Sequence, residues 1–278
     1  MPIVQANGIE LYYERFGDGT GPTLLMVNGL GSQCIRYDEE LCEGFADRGF
    51  DVIRFDNRDV GLSTHLSDGA EYTLSDMAAD AVGLLDALDI ADAHLWGCSM
   101  GGMIVQQLAI DAPERVATLT SIMSTTGERE YTKADPAVAA KLMTLSEPAP
   151  DLETAIERGV AFARLAGSPH HFDEERERKK HRRYVERAYD PAGSARQMQA
   201  VMRSGHRAEG LRTLTMPALV VHGTADPLIH IIGGRRTAEL VPGASFAEIE
   251  GMGHDLPPHF WSQYVEGTTR LASATAGS

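Results

Sequence analysis

Two hydrophobic periods alternate along the first half of the chain. Short apolar runs bounded by glycine and polar residues are typical of strands. They lie at residues 9–17, 23–29, 51–56, 93–98 and 116–124. Residues 74–88 instead space their apolar side chains three and four positions apart, which predicts an amphipathic helix that begins with a capping box of Thr73 and Asp76. Strands that alternate with helices predict an α/β architecture, a mostly parallel central sheet with helices on both faces.

The alternation stops at Gly127, and from there to about residue 210 only helical periodicity is found. The helical segments lie at residues 136–145, 152–166, 174–189 and 193–204. Strand patterns return at residues 217–223 and 245–251. An all-helical block between two strands of one sheet predicts an insertion over the carboxyl ends of the strands, where open α/β sheets bind ligands. We therefore expect a core formed by residues 1–126 and 211–278, and a helical cap, or lid, formed by residues 127–210.

A single serine lies at the corner between a predicted strand and a predicted helix. The strand pattern ends in Gly97-Cys98-Ser99-Met100-Gly101, and a helical pattern follows directly. A G-x-S-x-G pattern can be a simple glycine-rich turn, but at a strand–helix corner it exposes a nucleophilic hydroxyl. Gly97 and Gly101 would allow close approach of strand and helix, and the amide of Met100 would face a developing oxyanion. Ser99 is therefore the predicted nucleophile.

Two residues further along the chain can activate this serine. Asp226 follows the strand pattern of residues 217–223, and His254 lies in the glycine-containing loop after residues 245–251. We expect His254 to act as general base and then general acid, with Asp226 fixing its tautomer. The alternatives are a turn cap for Asp226 and a loop histidine without a catalytic role for His254.

A second oxyanion donor is expected from the loop after the strand pattern of residues 23–29, because acyl transfer usually employs two convergent amides. We assign this donor to the amide of Leu30, with Gly29 and Gly31 shaping the turn.

These motifs resemble the α/β-hydrolase family over nearly the whole chain. Within that family the segments 52–64, 97–102 and 251–257 look like those of the capped serine esterases related to aclacinomycin methylesterase. The resemblance implies a serine esterase or lactonase that forms an acyl-enzyme and needs no cofactor, with a small apolar ester as the expected substrate. The dehalogenase and epoxide hydrolase branches carry a carboxylate at the corner, so Ser99 argues against both. Many members have His-Gly where this chain has Asn28-Gly29, which leaves the second donor open between Gly29 and Leu30.

Other activities are compatible with the same residues. Carbon–carbon bond hydrolases and cofactor-free perhydrolases use the same triad, and a ligand receptor that does not turn its ligand over is the alternative from another class.

Charge and composition restrict the partners. The formal net charge of −15 and a pI of about 5.0 argue against nucleic acid and against an anionic membrane surface as the main partner. The resemblance implies a small-molecule ester or lactone as the partner. The three cysteines lack metal-binding spacing, so no metal is expected. Neither a basic leader nor a run of roughly 20 apolar residues is present, and we expect a cytoplasmic protein. A homo-oligomer is compatible with the sequence, which does not set the oligomeric state.

Two charged segments have simpler interpretations than binding or catalysis. The Lys- and Arg-rich residues 174–187 are interpreted as the solvated face of a helix, since Glu174 and Arg178 stand four positions apart. Asp56, Arg58 and Asp59 are interpreted as members of structural salt bridges.

Overall fold

The computed structural model describes residues 2–132, 134–145 and 147–274. Within these residues the strands form one eight-stranded sheet in the order β1-β2-β4-β3-β5-β6-β7-β8. The pairs β1–β2 and β2–β4 are antiparallel and the others are parallel. The strands are β1 Ile3–Ala6, β2 Ile9–Phe16, β3 Thr23–Val27, β4 Asp51–Phe55, β5 Ala93–Cys98, β6 Val116–Ile122, β7 Ala218–Gly223 and β8 Ser245–Ile249.

Ten helices accompany the described part of this sheet. They are α1 Glu39–Ala46, α2 Leu74–Ala87, α3 Met100–Asp111, α4 Pro136–Leu145, α5 Leu152–Ala166, α6 Glu174–Arg187, α7 Pro191–Arg203, α8 Ala208–Leu211, α9 Ile232–Leu240 and α10 Trp261–Ser273. The predicted capping box starts α2, where the amide of Asp76 donates to the Thr73 hydroxyl and the Asp76 carboxylate accepts from the Thr73 amide. The predicted α/β fold is confirmed.

The sheet buries both of its faces, which explains why apolar residues stand at neighbouring positions of its central strands and not only at alternate ones. Neighbouring residues of a strand point to opposite sides. Leu95 therefore joins the hydrophobic cluster beneath α2 and α3, whereas Trp96 joins the cluster beneath α1 and α10. Both side chains are fully buried.

Helices α4 to α7 lie between β6 and β7 in the chain, within the block that the sequence marks as helical. Buried ion pairs join two of these helices to the loop that follows β4. Arg187 of α6 lies 2.7 Å from the carboxylate of Asp56, and Arg196 of α7 lies 2.7 Å from that of Asp59. Arg58 pairs with Asp80 at 2.6 Å. The interpretation of Asp56, Arg58 and Asp59 as salt-bridge residues is thereby confirmed.

Helix α6 is solvated on only one side. Arg178 forms an ion pair with Glu174 at the predicted i, i+4 spacing, and a second one with Glu157 of α5. Lys180 and Arg187 turn toward the core instead, and Lys180 lies 3.0 Å from Asp38. Within the described residues, no helix has both the length and the apolar character that crossing a bilayer requires.

Candidate active site

Ser99 forms the turn between β5 and α3. Its φ of 57° and ψ of −119° lie in the left-handed half of the Ramachandran map, a strained conformation for a side chain other than glycine. A Cβ on Gly101 would overlap the carbonyl oxygen of Val27, and a Cβ on Gly97 would overlap that of Gly101. The glycines therefore permit the close approach of α3 to the sheet that the motif predicts, and the approach leaves Ser99 at the carboxyl end of the sheet.

His254 follows β8 and reaches back to Ser99. Its Nε2 lies 2.9 Å from the Ser99 Oγ, and its Nδ1 lies 2.8 Å from the Oδ2 of Asp226. An ionised carboxylate only accepts, so Nδ1 carries the proton and Nε2 accepts from the serine hydroxyl. The structure thus brings the three predicted side chains into one hydrogen-bonded chain.

The Asp226 carboxylate is buried and fully used as an acceptor. Its Oδ1 accepts the amides of Leu228 and Ile229, each at 2.9 Å. Burial alone would raise the pKa of Asp226, but the adjacent His254 and His222 hold it well below its ordinary value. The group therefore remains a carboxylate and keeps His254 in one orientation.

Sequence reasoning missed His222 as a neighbour of this carboxylate. His222 lies on β7, is fully buried, and its Nε2 is 2.8 Å from the Ile229 carbonyl and 3.5 Å from the Asp226 Oδ2. Since a carbonyl only accepts, Nε2 carries the proton. The signal available in the sequence was a polar side chain at an inward-facing position of an otherwise apolar strand.

Two backbone segments border the serine. Met100 is the first residue of α3, so the helix itself offers no acceptor for its amide. In the loop after β3, a Cβ on Gly29 would stand 3.3 Å from the Ser99 Cβ, which places the peptide that joins Gly29 to Leu30 next to the serine. No group within the described residues accepts the amide of Leu30. Both predicted donors therefore belong to segments that adjoin Ser99.

The end of α5 holds the loop that carries His254. The His254 amide donates to the carbonyl of Ala166 at 2.7 Å. The buried Ser168 hydroxyl accepts the Gly253 amide at 2.9 Å and donates to the Asp255 carboxylate at 2.6 Å. Helical periodicity did not single out Ser168, because it lies beyond the end of α5 and its partners are more than 80 positions away.

A cavity of about 240 Å³ opens between α6 and the segment that follows His254. Its lining includes the charged side chains of Arg36, Asp173, Arg176, Glu177, Lys180 and Asp255 as well as apolar ones. The imidazoles of His171 and His259 stack beside it with their centroids 3.9 Å apart. The surface beside the loop that carries His254 therefore has polar as well as apolar side chains.

One cluster in the described part of the chain has the composition of a metal site. Ligand atoms of Asp59, His65 and Asp190 lie within 4.8 Å of one another. The guanidinium of Arg196 already contacts both carboxylates, at 2.7 and 3.5 Å. The charge of this guanidinium therefore already neutralises the two carboxylates that a metal ion would bind.

Cys98, next to the serine, is buried, and burial raises the pKa of its thiol, which disfavours the nucleophilic thiolate.

Sequence comparison places this geometry in a family. The profile of the α/β hydrolase fold family matches residues 22–258, and the chain belongs to that family. Two rhodomycin D methylesterases, DnrP of Streptomyces peucetius and DauP of another Streptomyces, are 32% and 30% identical to it, each over 92% of this chain and 92% of its own length. The resemblance to the methylesterase group is thereby confirmed.

Two further comparisons give a second relative that acts on an ester bond and a solved structure with the same fold. The 3-oxoadipate enol-lactonase 2 of Acinetobacter baylyi is 28% identical over 88% of this chain and 86% of its own length. The crystal structure of an esterase from a Rhodococcus species superposes with a TM-score of 0.80 at 22% identity, covers 98% of each chain, and shows the shared fold. The relatives identify this protein as a hydrolase that acts on ester bonds.

Proposed function

We propose that this protein is a serine hydrolase that cleaves a carboxylic ester or lactone through an acyl-enzyme. The observation that carries the proposal is the unbroken chain of hydrogen bonds from Ser99 to His254 to Asp226, at 2.9 and 2.8 Å. An activated nucleophile needs a base within hydrogen-bonding reach and a third group that orients the base. All three roles have an occupant here.

Acylation begins at the serine. Ser99 Oγ attacks the ester carbonyl carbon while His254 Nε2 takes the hydroxyl proton, and the carbonyl π electrons move onto the oxygen. The amides of Met100 and Leu30 donate to this oxyanion. Asp226 stabilises the imidazolium through Nδ1–H, and its lowered pKa keeps it ionised throughout. When the tetrahedral intermediate collapses, His254 returns the proton to the leaving alkoxide and an alcohol departs.

Deacylation repeats these steps with water. His254 takes a proton from the water, the hydroxide adds to the acyl carbon, and the second intermediate expels Ser99, which recovers its proton from the imidazolium. The products are a carboxylic acid and an alcohol, or a hydroxy acid when the substrate is a lactone. No cofactor takes part in this scheme.

We propose that the substrate-binding site has one wall formed by the core and one formed by the inserted helices. We assign residues 1–126 and 211–278 to the hydrolase core and residues 127–210 to a cap. The contact of Ala166 with His254 supports this assignment, because the cap then lies against the loop of the general base. Substrate would bind between cap and core.

The names of the relatives point to the first substrates to test. Two relatives are methylesterases and one is an enol-lactonase, so methyl esters come first and enol-lactones second. Small apolar esters such as p-nitrophenyl butyrate are expected to be accepted as general probes. For carbon–carbon bond hydrolysis, perhydrolysis and a receptor role, no observation within the described residues favours the alternative over ester hydrolysis.

Replacement of Ser99 tests the proposal. The Ser99→Ala variant should lose hydrolysis of p-nitrophenyl butyrate and of a methyl ester by a factor on the order of 10⁶ in kcat, the scale for a removed triad serine. Ser245→Ala, which alters an exposed serine at the start of β8, is the matched control and should keep full activity. Ester turnover by Ser99→Ala within tenfold of the unaltered protein, roughly 1.4 kcal/mol in activation free energy, would refute the assignment.

A further inference from the structure

Gln197 of α7 joins the inserted helices to two backbone segments of the core. Its Oε1 accepts the amide of Gly31 at 2.8 Å, and its Nε2 donates to the carbonyl of Arg58 at 2.8 Å. The side chain is fully buried. A buried amide whose oxygen and nitrogen each have a backbone partner has one orientation only, because a flipped amide would leave both partners unsatisfied.

The contact falls on the turn that carries Leu30. This turn runs from Gly29 to Ser32 and is closed by a hydrogen bond from the Ser32 amide to the Gly29 carbonyl, at 3.1 Å. Gly31 adopts a φ of 64°, in the left-handed region that favours glycine. Leu30 lies between two fixed points, since Gly29 adjoins Ser99 and Gly31 is held by Gln197. The peptide that carries the Leu30 amide therefore lies directly before the peptide that Gln197 holds.

Helix α7 approaches the core too closely to shift. A Cβ on Gly31 would stand 2.7 Å from the Ser194 Oγ, and a Cβ on Gly193 would overlap the carbonyl oxygen of Asp59. The ion pair between Arg196 and Asp59 fixes the same turn of the helix. The helix consequently presents Gln197 to the loop in a defined position.

We propose that Gln197 is a positioning residue that sets the second oxyanion donor, so that the inserted helix α7 completes the catalytic site of the core. The proposal rests on the proposed function, because it assigns a task to the Leu30 amide. Stabilisation of an oxyanion requires the donor within about 2.7–3.1 Å of the developing charge, which a loop without a fixed partner does not ensure. Gln197 itself does not touch the reacting atoms.

The test removes the acceptor for Gly31 while keeping the size of the side chain. Gln197→Met should lower kcat for p-nitrophenyl butyrate about 10- to 100-fold, less than the loss of a donor outright, and should change KM less than about threefold. The inhibition constant of a trifluoromethyl ketone, which forms an oxyanion on the serine, should rise by the same factor as kcat/KM falls. A purely structural role would lower the unfolding temperature without moving this inhibition constant.

Two further variants sharpen the result. Gln107→Met alters a glutamine on α3 whose side chain donates to the exposed Asp111, and it should leave kcat and the inhibition constant unchanged. Gln197→Asn stays polar but withdraws the amide group by one methylene, and it should behave like Gln197→Met, which covers the case in which the methionine variant does not fold.

Each outcome decides a different claim. If folded Gln197 variants keep kcat and the inhibition constant while Ser99→Ala is inactive, the positioning role is wrong and the proposed function stands. A rise of KM at unchanged kcat also overturns the positioning role, since it assigns Gln197 to substrate binding. If Ser99→Ala keeps its activity, the proposed function fails and the role of Gln197 fails with it.

Discussion

Single residues carry the chemistry that we propose for this site, and the three that follow strand patterns were predictable from the sequence. Ser99, Asp226 and His254 each follow a strand pattern, so their meeting at the carboxyl edge of the sheet was an expectation that the geometry matches. Gln197 and Ser168 were not predictable. Helical periodicity shows which side of α7 is buried, but the loop that this side meets depends on how the inserted helices dock.

The acid residue gives the sharpest prediction at this scale. In Asp226→Asn the side chain no longer stabilises the imidazolium, and its amide group favours the wrong tautomer of His254. We expect kcat to fall about 10⁴-fold, as for other triads that lose their carboxylate. Steady-state kinetics with p-nitrophenyl butyrate measures this loss. Asp47→Asn, at an exposed position after α1, is the control and should retain wild-type kcat. A decrease of less than tenfold in Asp226→Asn would contradict the role of Asp226.

At the scale of the element, the central strands and the N-cap of α2 follow the sequence closely, whereas helix α9 does not. The buried strands β3, β4 and β5 appear as apolar runs. Helix α9 was not predicted, because Gly233 and Gly234 lower its helix propensity. The structure explains one of these glycines, since a Cβ on Gly234 would overlap the imidazole of His222. In α9, the need for close packing against the buried His222 has a larger effect than helix propensity, and the sequence alone does not reveal this packing.

The corner between β5 and α3 permits a prediction for paired glycine substitutions. In Gly101→Ala the new Cβ meets the Val27 carbonyl oxygen, so α3 must move and carries the Met100 amide with it. We expect a loss of about 1–3 kcal/mol in the free energy of unfolding, together with a loss of esterase activity. Urea unfolding and p-nitrophenyl butyrate turnover are the measurements.

Gly44→Ala is the matched control for that substitution. Gly44 lies in the interior of α1, where a Cβ would make ordinary contact with Val265 at 3.7 Å. Alanine is the better helix former, so stability should stay equal or rise by up to about 1 kcal/mol. Equal stability of the two alanine variants would show that close packing does not define the corner.

At the scale of the whole molecule, ionic contacts join α6 and α7 to the segments that follow β3 and β4. Asp38, Asp56 and Asp59 each pair with an arginine of α6 or α7. Although the chain carries a net charge of −15, the carboxylates at these contacts are paired with positive side chains. The sequence supported salt bridges for Asp56 and Asp59 but could not name their partners, which lie more than 130 positions away.

One contact at the start of α7 is expected to depend on pH. His65 lies 2.7 Å from Asp190, the N-cap of α7. Burial alone would lower the pKa of His65, but the Gly61 carbonyl and the Asp190 carboxylate raise it above 6.5. A raised pKa in the folded state stabilises the protein below the unfolded value, and this contribution disappears as pH rises through the folded value.

Thermal unfolding of His65→Gln tests this linkage. Its unfolding temperature should lie below that of the unaltered protein at about pH 6, and the difference should shrink toward about pH 9. His170→Gln, at an exposed position, should show no such trend. A difference that grows with pH would contradict the assigned direction.

Covalent labelling of the nucleophile tests the central claim most directly. A fluorophosphonate should add once per chain, at Ser99, and prior acylation by a slow ester should block the addition. Mass spectrometry of the intact protein and of the peptide that contains residues 94–110 measures both the stoichiometry and the site. One adduct on Ser99, absent in His254→Ala, is the predicted result. An adduct on another residue, or none in a folded protein that still hydrolyses esters, would contradict the account.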